Sequence, residues 1–244
     1  MPETAVVLCG GLAKRMRPLT ETIPKCMAPL GGRPLLDYHL EMMDAAGIRH
    51  VILAAGYRND IIKDYYGNGK FTYSIETNPL GTGGAVRKAL DHVTDTEFFV
   101  INGDDVFSEL DLAEFGKACT GHNALVSSLF PQQYGIVFRE DGEWIKIDQK
   151  PVLPDVWANT GIYLFQRGIP LPENGDFETT TFKQVRLKEH KYKGRWLSIN
   201  TEKQLGEAEK SLRESPVVFR HRPPLADPFE YVDWLTTRYG KAEA

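Results

Sequence analysis

The chain predicts an α/β fold: a Rossmann-like, mostly parallel sheet flanked by helices, with a small antiparallel β extension and a C-terminal helical tail. Three observations carry this. Short apolar runs alternate with amphipathic stretches through the first half. Three polar, glycine-bearing segments, CGGLAKR, NPLGTGGA and NGDD, fall at or just beyond the ends of such runs. After about residue 120 the segments turn β-rich and are separated by polar turns.

Taken in order, TAVVLC reads as a strand. PLLDYHLEMMDAAG places a proline in the first helical turn, Leu36, Leu40 and Met43 on one face, and a stop at Gly47. HVILAAG is a second buried strand, NDIIKDYYG a short helix, FTYSIE a third strand, TGGAVRKALDHV a third helix and EFFVING a fourth strand. Strands joined by helical crossovers pair in parallel with helices on both faces. NALVSSLF, YGIVFRE, EWIKIDQK and NTGIYLF read as antiparallel additions, a lid or platform on that sheet. FETTTFKQVRLKEH reads as a helix, and TEKQLGEAEKSL as an amphipathic one with Leu205, Ala208 and Leu212 on one face. From Ser215 the composition shifts to a proline-bearing linker, SPVVFRHRPPLADP. DPFEYVDWLTTRYG then sets Phe229, Val232, Leu235 and Tyr239 at helical spacing. The expected division is a domain over 1–214 and a linker plus helix over 215–244.

Bulk composition narrows the function classes. With 42% hydrophobic and 25% charged residues in 244, the chain is an ordinary soluble globular protein. A net charge of −4 argues against nucleic acid as a partner. Cys9, Cys26 and Cys119 form no CxxC pair and suit a reducing compartment, so the cytoplasm is expected. No run approaches the ~20 apolar residues of a membrane helix. The six histidines lack zinc-type spacing, and GxSxG is absent. The apolar stripe of the tail must be covered by its own domain or by a second subunit, and a homo-oligomer is expected.

Ligands of open α/β sheets sit beyond the carboxyl ends of the strands, where the glycine loops fall. The first loop has neither a Walker A pattern nor GxGxxG. Gly10 and Gly11 nevertheless let backbone N–H groups approach an anion, and Arg15 offers a fork suited to phosphate oxygens. Lys25, between Pro24 and Cys26, is a point charge on a stiffened backbone. Spacing alone leaves a phosphate site and a solvated basic loop both open. In NGDD a carboxylate at a strand end suits Mg²⁺; the alternative is a helix cap, a role for which Asp111 is better placed. NPLGTGGAV is either a helix start with Thr82 as N-cap or a set of glycines through which backbone meets a flat base edge.

GGLAKRMRPLTETIPKCMAPLGGRPLLDYHL resembles the N-terminal signature of sugar-1-phosphate nucleotidyltransferases. The likeness continues through AGIRHVILAAGY, NPLGTGGAV, NGDD, YGIV, DQKP and ANTGIY, in the family's order over about residues 4 to 212. YSIETNPLGTGGAV, NGDDVF and QQYGIV look most like guanylyltransferases of heptose or mannose 1-phosphate. The resemblance implies that backbone around Leu8, Gly10 and Gly11, with Gly81 and Thr82, holds base and ribose. Arg15 and Lys25 would grip the triphosphate, and Asp104 would ligate Mg²⁺. Asn102 and Gly103 belong to the implied substrate contacts, as do Gly135, Asn159 and Thr160 toward the sugar and Lys150 toward its phosphate. The implied reaction is in-line attack of the sugar phosphate on the α-phosphorus of an NTP, expelling pyrophosphate, with no general base or covalent nucleophile.

Several positions depart from the family pattern. Ala13 and Lys14 stand where glycine and a hydroxyl residue are usual, Cys26 where proline is, and Gln149 where glutamate is common. In GRWLSINTEKQL, Ser198 takes the place of the second metal carboxylate, and Asn200 is expected to serve instead. GGRPLLDYHL also resembles cytidylyltransferases, while NPLGTGGA fits guanylyl, thymidylyl and uridylyl types. The altered metal segment further admits a non-catalytic nucleotide-sugar sensor.

Overall fold

A computed structural model describes residues 1–67, 69–132, 134–215 and 228–240. In chain order the strands are β1 (Thr4–Leu8), β2 (Pro29–Leu30), β3 (Arg33–Pro34), β4 (His50–Ala55), β5 (Thr72–Ile75), β6 (Glu97–Asn102), β7 (Asp105–Phe107), β8 (Ala124–Pro131), β9 (Ile136–Glu140), β10 (Glu143–Asp148), β11 (Val152–Gln166), β12 (Lys188–Tyr192) and β13 (Trp196–Ser198). The helices are α1 (Leu19–Thr22), α2 (Leu35–Ala45), α3 (Asn59–Tyr66), α4 (Gly81–Ala89), α5 (Leu112–Cys119), α6 (Glu202–Glu214) and α7 (Pro228–Tyr239).

Seven strands form the main sheet in the order β12-β8-β11-β6-β1-β4-β5. All pairings are parallel except those of β11, which runs against β6 and β8. The other six strands therefore end on one edge, and the loops leaving that edge build the site. Near-continuous apolar runs such as AVV and FFVI are what a sheet covered on both faces requires. Alternate residues feed two cores: Val7, Leu53, Phe99 and Ile101 face α2, α3 and α5, while Val6, Ile52, Phe98 and Val100 face α4. The β9–β10 hairpin forms a separate sheet, with Trp144 and Ile147 exposed.

Most sequence expectations for individual elements hold. Helix α2 starts directly after Pro34 and gives way to Gly47 at φ 77°, with Leu36, Leu40 and Met43 buried. Its other faces are buried too. Asp37 and Glu41 are only 1% and 2% exposed, which their partners make tolerable. Arg33 grips Glu41 with two bonds of 2.5 and 3.1 Å, and the Tyr66 hydroxyl donates to Asp37 at 2.6 Å. Burial still pushes the Asp37 carboxyl up to about 6. Asp111 caps α5, accepting from the Glu114 N–H at 2.9 Å.

Two expectations are corrected. FETTTFKQVRLKEH is not a helix: it holds one 3₁₀ turn (Thr181–Lys183) and then β12. The hydroxyls of Thr179 and Thr180 donate to the Asp176 carbonyl and that of Thr181 to the Pro170 carbonyl, bonds that compete with helical ones. KEHKY meanwhile adds a parallel edge strand to β8. The second correction concerns the tail. Helix α7 buries Leu235, as expected, together with Tyr231, which lies outside the expected stripe, while Val232 is half-buried. Tyr65 packs edge-on against Tyr231 and Trp234 at 5.0 and 4.9 Å, and the Tyr231 hydroxyl donates to the Met27 carbonyl. The chain itself thus covers Tyr231 and Leu235. The expected linker over 216–227 lies outside the described residues, as does the Phe229 side chain.

Candidate functional site

Beyond the end of β1 the loop bends through Ala13, a non-glycine residue at φ 43°, into a 3₁₀ turn over Lys14–Met16 that carries Arg15. A second 3₁₀ turn, Lys25–Met27, buries Cys26 and Met27 and leaves Lys25 at the surface of the cleft. Opposite them, β7 pairs with β13 in antiparallel register, Ser198 against Asp105, which brings Asp104 and Asn200 to the same place. The Lys25 Nζ lies 2.7 Å from Asp104 Oδ2 and 3.2 Å from Asn200 Oδ1, and Arg15 donates to the same Asn200 oxygen at 3.0 Å.

Asn200 is held in this pose on three sides. Its amide donates to the Ser198 hydroxyl at 2.9 Å and its backbone N–H to Gln204 Oε1 at 2.9 Å, while Thr201 caps α6. Ser198 thus supports Asn200 rather than reaching the cleft cations. Beneath the cluster, buried Asp105 accepts from the Trp196 indole at 2.8 Å and the Ile199 N–H at 3.1 Å. Burial, with the Asp104 charge beside it, pushes the Asp105 carboxyl up to about 7 against the pull of Trp196 and Lys25. Cys9 is inert: a hydrogen bond with Cys26 and burial hold its thiol well above the usual range.

Two cavities open here, of about 410 Å³ and about 900 Å³, and both are lined by Arg15, Asn102, Asp104 and Asn200. Of the remaining expected residues, Leu8, Gly10, Gly11, Lys25, Gly81, Thr82 and Gly103 line the smaller cavity. Lys150, Asn159 and Thr160 line the larger. Lys150 sits at φ 48°, a left-handed conformation disfavoured for lysine and of the kind that collects at functional sites. Gly135 and Gln149 line neither cavity; they lie against one another beside the hairpin, a methyl group on Gly135 standing 3.0 Å from Gln149 Nε2. The Asn102 side-chain oxygen, on the wall common to both cavities, is buried without a hydrogen-bond partner.

Several side chains are already engaged within the protein. Thr160 donates to the Val126 carbonyl at 2.8 Å. Asn159 donates to the Tyr163 hydroxyl at 2.7 Å, Tyr163 to Glu178 at 3.4 Å, and Thr82 to the other Glu178 oxygen at 2.6 Å. One hydrogen-bonded chain therefore spans from the larger cavity to the smaller. Thr82 is not an N-cap, since α4 begins at Gly81. The glycines of NPLGTGGA serve packing: methyl groups on Gly81, Gly83 and Gly84 would meet Gly175, Pro172 and Glu173 at 2.5 to 2.6 Å.

Glu76, Pro79 and Asp176 also line the smaller cavity and were missed from sequence. Glu76 closes the FTYSIE run just after β5, a strand-end position that a solvated carboxylate would fill equally well. Asp104 Oδ2 and Asn200 Oδ1 converge on the Lys25 ammonium, and oxygens that already share one cation are of the type a hard divalent ion takes. No cluster of three or more His, Cys, Asp or Glu occurs among the described residues, so such an ion would draw its remaining ligands from phosphate and water. No helix among the described residues is long and apolar enough to cross a membrane.

The family model for nucleotidyl transferases matches residues 4–189. The chain is 34% identical over 201 residues to a D-glycero-alpha-D-manno-heptose 1-phosphate guanylyltransferase of Aneurinibacillus thermoaerophilus, covering 77% of this chain and 87% of that one. It is 33% identical over 223 residues to a mannose-1-phosphate guanyltransferase of Yarrowia lipolytica, covering 81% and 61%. Among solved structures, HddC from Yersinia pseudotuberculosis complexed with GMP-PN superposes with a TM-score of 0.69 at 25% identity, over 86% of this chain and 99% of that one.

Proposed function

The chain belongs to the nucleotidyl transferase family as a sugar-1-phosphate nucleotidyltransferase, and from that premise we propose that it joins GTP to heptose or mannose 1-phosphate, releasing pyrophosphate. The observation that carries the reading is the meeting of two cavities at Arg15, Asn102, Asp104 and Asn200. The smaller takes the nucleotide and the larger the sugar phosphate, so the two phosphates face each other across the cation cluster.

The reaction asks the protein for position and charge. An oxygen of the sugar phosphate attacks the α-phosphorus, the bond to the β-phosphate oxygen breaks in line, and pyrophosphate leaves with its electron pair. The nucleophile is already an anion, so no proton need be removed. Arg15 and Lys25 neutralise the triphosphate, and Lys150, held on a strained backbone, meets the sugar phosphate. Asp104 and Asn200 would hold Mg²⁺, which would supply positive charge against the phosphates. Lys25 then exchanges its contact with Asp104 for the nucleotide phosphates. The Asn102 oxygen, lacking a protein partner, is available to a substrate hydroxyl.

The three buried, unpaired cysteines support a reducing, cytoplasmic setting. The test is pyrophosphate release from a panel of NTPs with heptose, mannose and glucose 1-phosphates in the presence of Mg²⁺. GTP with a manno-configured sugar phosphate should turn over fastest. Preference for CTP, UTP or dTTP would move the reading to another base. Binding of an NDP-sugar without release from any pair would make the protein a sensor.

A further inference from the structure

Helix α7 follows the last strand, lies beyond the residues matched by the family model, and touches the turn that carries Lys25. The Tyr231 hydroxyl donates to the carbonyl of Met27, the last residue of the Lys25–Met27 turn. That turn is closed internally by the Met27 N–H on the Pro24 carbonyl and the Ala28 N–H on the Lys25 carbonyl, both at 2.9 Å. Such bonds fix its shape and leave its final carbonyls without partners inside it. Its placement against the rest of the fold is set from outside, by burial of the Cys26 and Met27 side chains and by the hydroxyl that α7 brings to Met27.

Tyr231 is itself held firmly. It is 1% exposed. Its ring stands edge-on to Tyr65 of α3 at 5.0 Å and stacks with Trp234 at 6.1 Å, and Trp234 packs on Tyr65 at 4.9 Å. At the far end of α7 the Tyr239 hydroxyl donates to Asp64 of α3 at 2.6 Å. Helix α7 is thus tied to α3 at both ends, and the Tyr231 hydroxyl is a fixed point against which the turn is set. Burial lifts this phenol well above its usual range, so it stays a donor. Lys25 has the opposite character: a long side chain that meets Asp104 at 2.7 Å and Asn200 at 3.2 Å and must exchange them for phosphate. A flexible stem delivers its charge to one place only if its backbone is held.

We propose that Tyr231 is a positioning residue for the transfer reaction: through the Met27 carbonyl it holds the Lys25 ammonium where the triphosphate charge develops. This rests on the nucleotidyltransferase reading above and extends the working parts of the site to α7.

Tyr231→Phe removes the hydroxyl and keeps the ring. Pyrophosphate release is measured with the NTP and sugar 1-phosphate that the wild type turns over fastest, at a temperature where calorimetry finds every protein folded. The variant should lose roughly threefold to thirtyfold in kcat, with KM for the sugar phosphate unchanged. In a Lys25→Ala background the same substitution should change kcat by less than about twofold, whereas in a Lys150→Ala background it should cost its full factor. Hydrogen exchange on the wild type gives a readout that needs no variant: the Met27 and Ala28 amides should open together with those of α7. Wild-type kcat with only a lowered melting temperature overturns the proposal. So does a full loss in the Lys25→Ala background, or an α7 that opens while the two amides stay protected. Because the assay uses the preferred NTP, a preference for one other than GTP overturns the guanylyltransferase reading alone. Absence of pyrophosphate release from every pair overturns both.

Discussion

Lys25 and Asp104, 79 residues apart in the chain, meet at 2.7 Å on the wall between two cavities. The pair is exposed enough (11% and 33% of the two side chains) to be remade around a ligand, and a triphosphate or a metal ion offers each member a stronger partner. Removing either should therefore strike activity rather than folding. Lys25→Ala and Asp104→Ala are each expected to lower kcat by about 10²–10³, with a melting temperature close to wild type because a part-exposed pair contributes about 1 kcal/mol or less. Pyrophosphate release and calorimetry check both halves; near-normal turnover in both variants would remove the pair from the mechanism.

Asn200 supplies a neutral oxygen beside the Asp104 carboxylate. Asn200→Asp should lower the Mg²⁺ concentration needed for half-maximal rate, since ligand charge strengthens binding of a hard cation. Asn200→Ala should raise it. Identical Mg²⁺ titrations for the three proteins would show that Asn200 only positions Arg15 and Lys25.

Asp37 makes stability depend on pH in a definite direction. Its carboxyl is raised to about 6 in the fold, mainly by burial, while Tyr66 and Arg33 pull it down and Glu41 pushes it up. A raised carboxyl favours the protonated folded state, so this contribution is fully present below pH ~4 and is lost as pH rises through about 6. His39, lowered to about 4 by burial, works in the opposite sense, so the difference between variant and wild type is the clean quantity. Asp37→Asn should exceed wild type in stability at pH 8, on the order of 1–3 kcal/mol, and the gap should close toward pH 4.5. Urea unfolding at the two pH values measures it; a gap that widens in acid contradicts the assignment.

Leu235 is fully buried on α7, with Tyr231 one turn before it. Leu235→Ala should cost about 2–5 kcal/mol of stability and leave the solution mass unchanged. Light scattering alongside thermal melting decides this. A variant of lower mass with an unaltered melting temperature would place that face between subunits.

The strands, the helices of the first half and the three loops over the sheet edge were legible because hydrophobic period and glycine placement are local signals. Legibility fell where a residue's role depended on something distant. ETTTFKQV has enough polar and apolar alternation to pass for a helix, yet its threonine hydroxyls bond to carbonyls of the 170–176 segment. The α7 stripe was located to within one residue, but only the packing of Tyr65, Tyr231 and Trp234 says which surface covers it. Family motifs carried Arg15, Lys25, Asp104 and Lys150 toward one site. Glu76 escaped because nothing in FTYSIE distinguishes a cavity carboxylate from a solvated one.

The sequence by itself therefore determined the fold class, the family, and the identity of the cations that a phosphate site needs. Each follows from patterns within a few residues or from motifs in a preserved order. The tertiary structure decided which groups share a space. Asn200 reaches Arg15 across 185 positions because β13 pairs with β7. Glu76 faces a cavity because Gly10 and Gly56 leave it room. Strand order and close approach are settled by packing of the whole chain, and no local period encodes them.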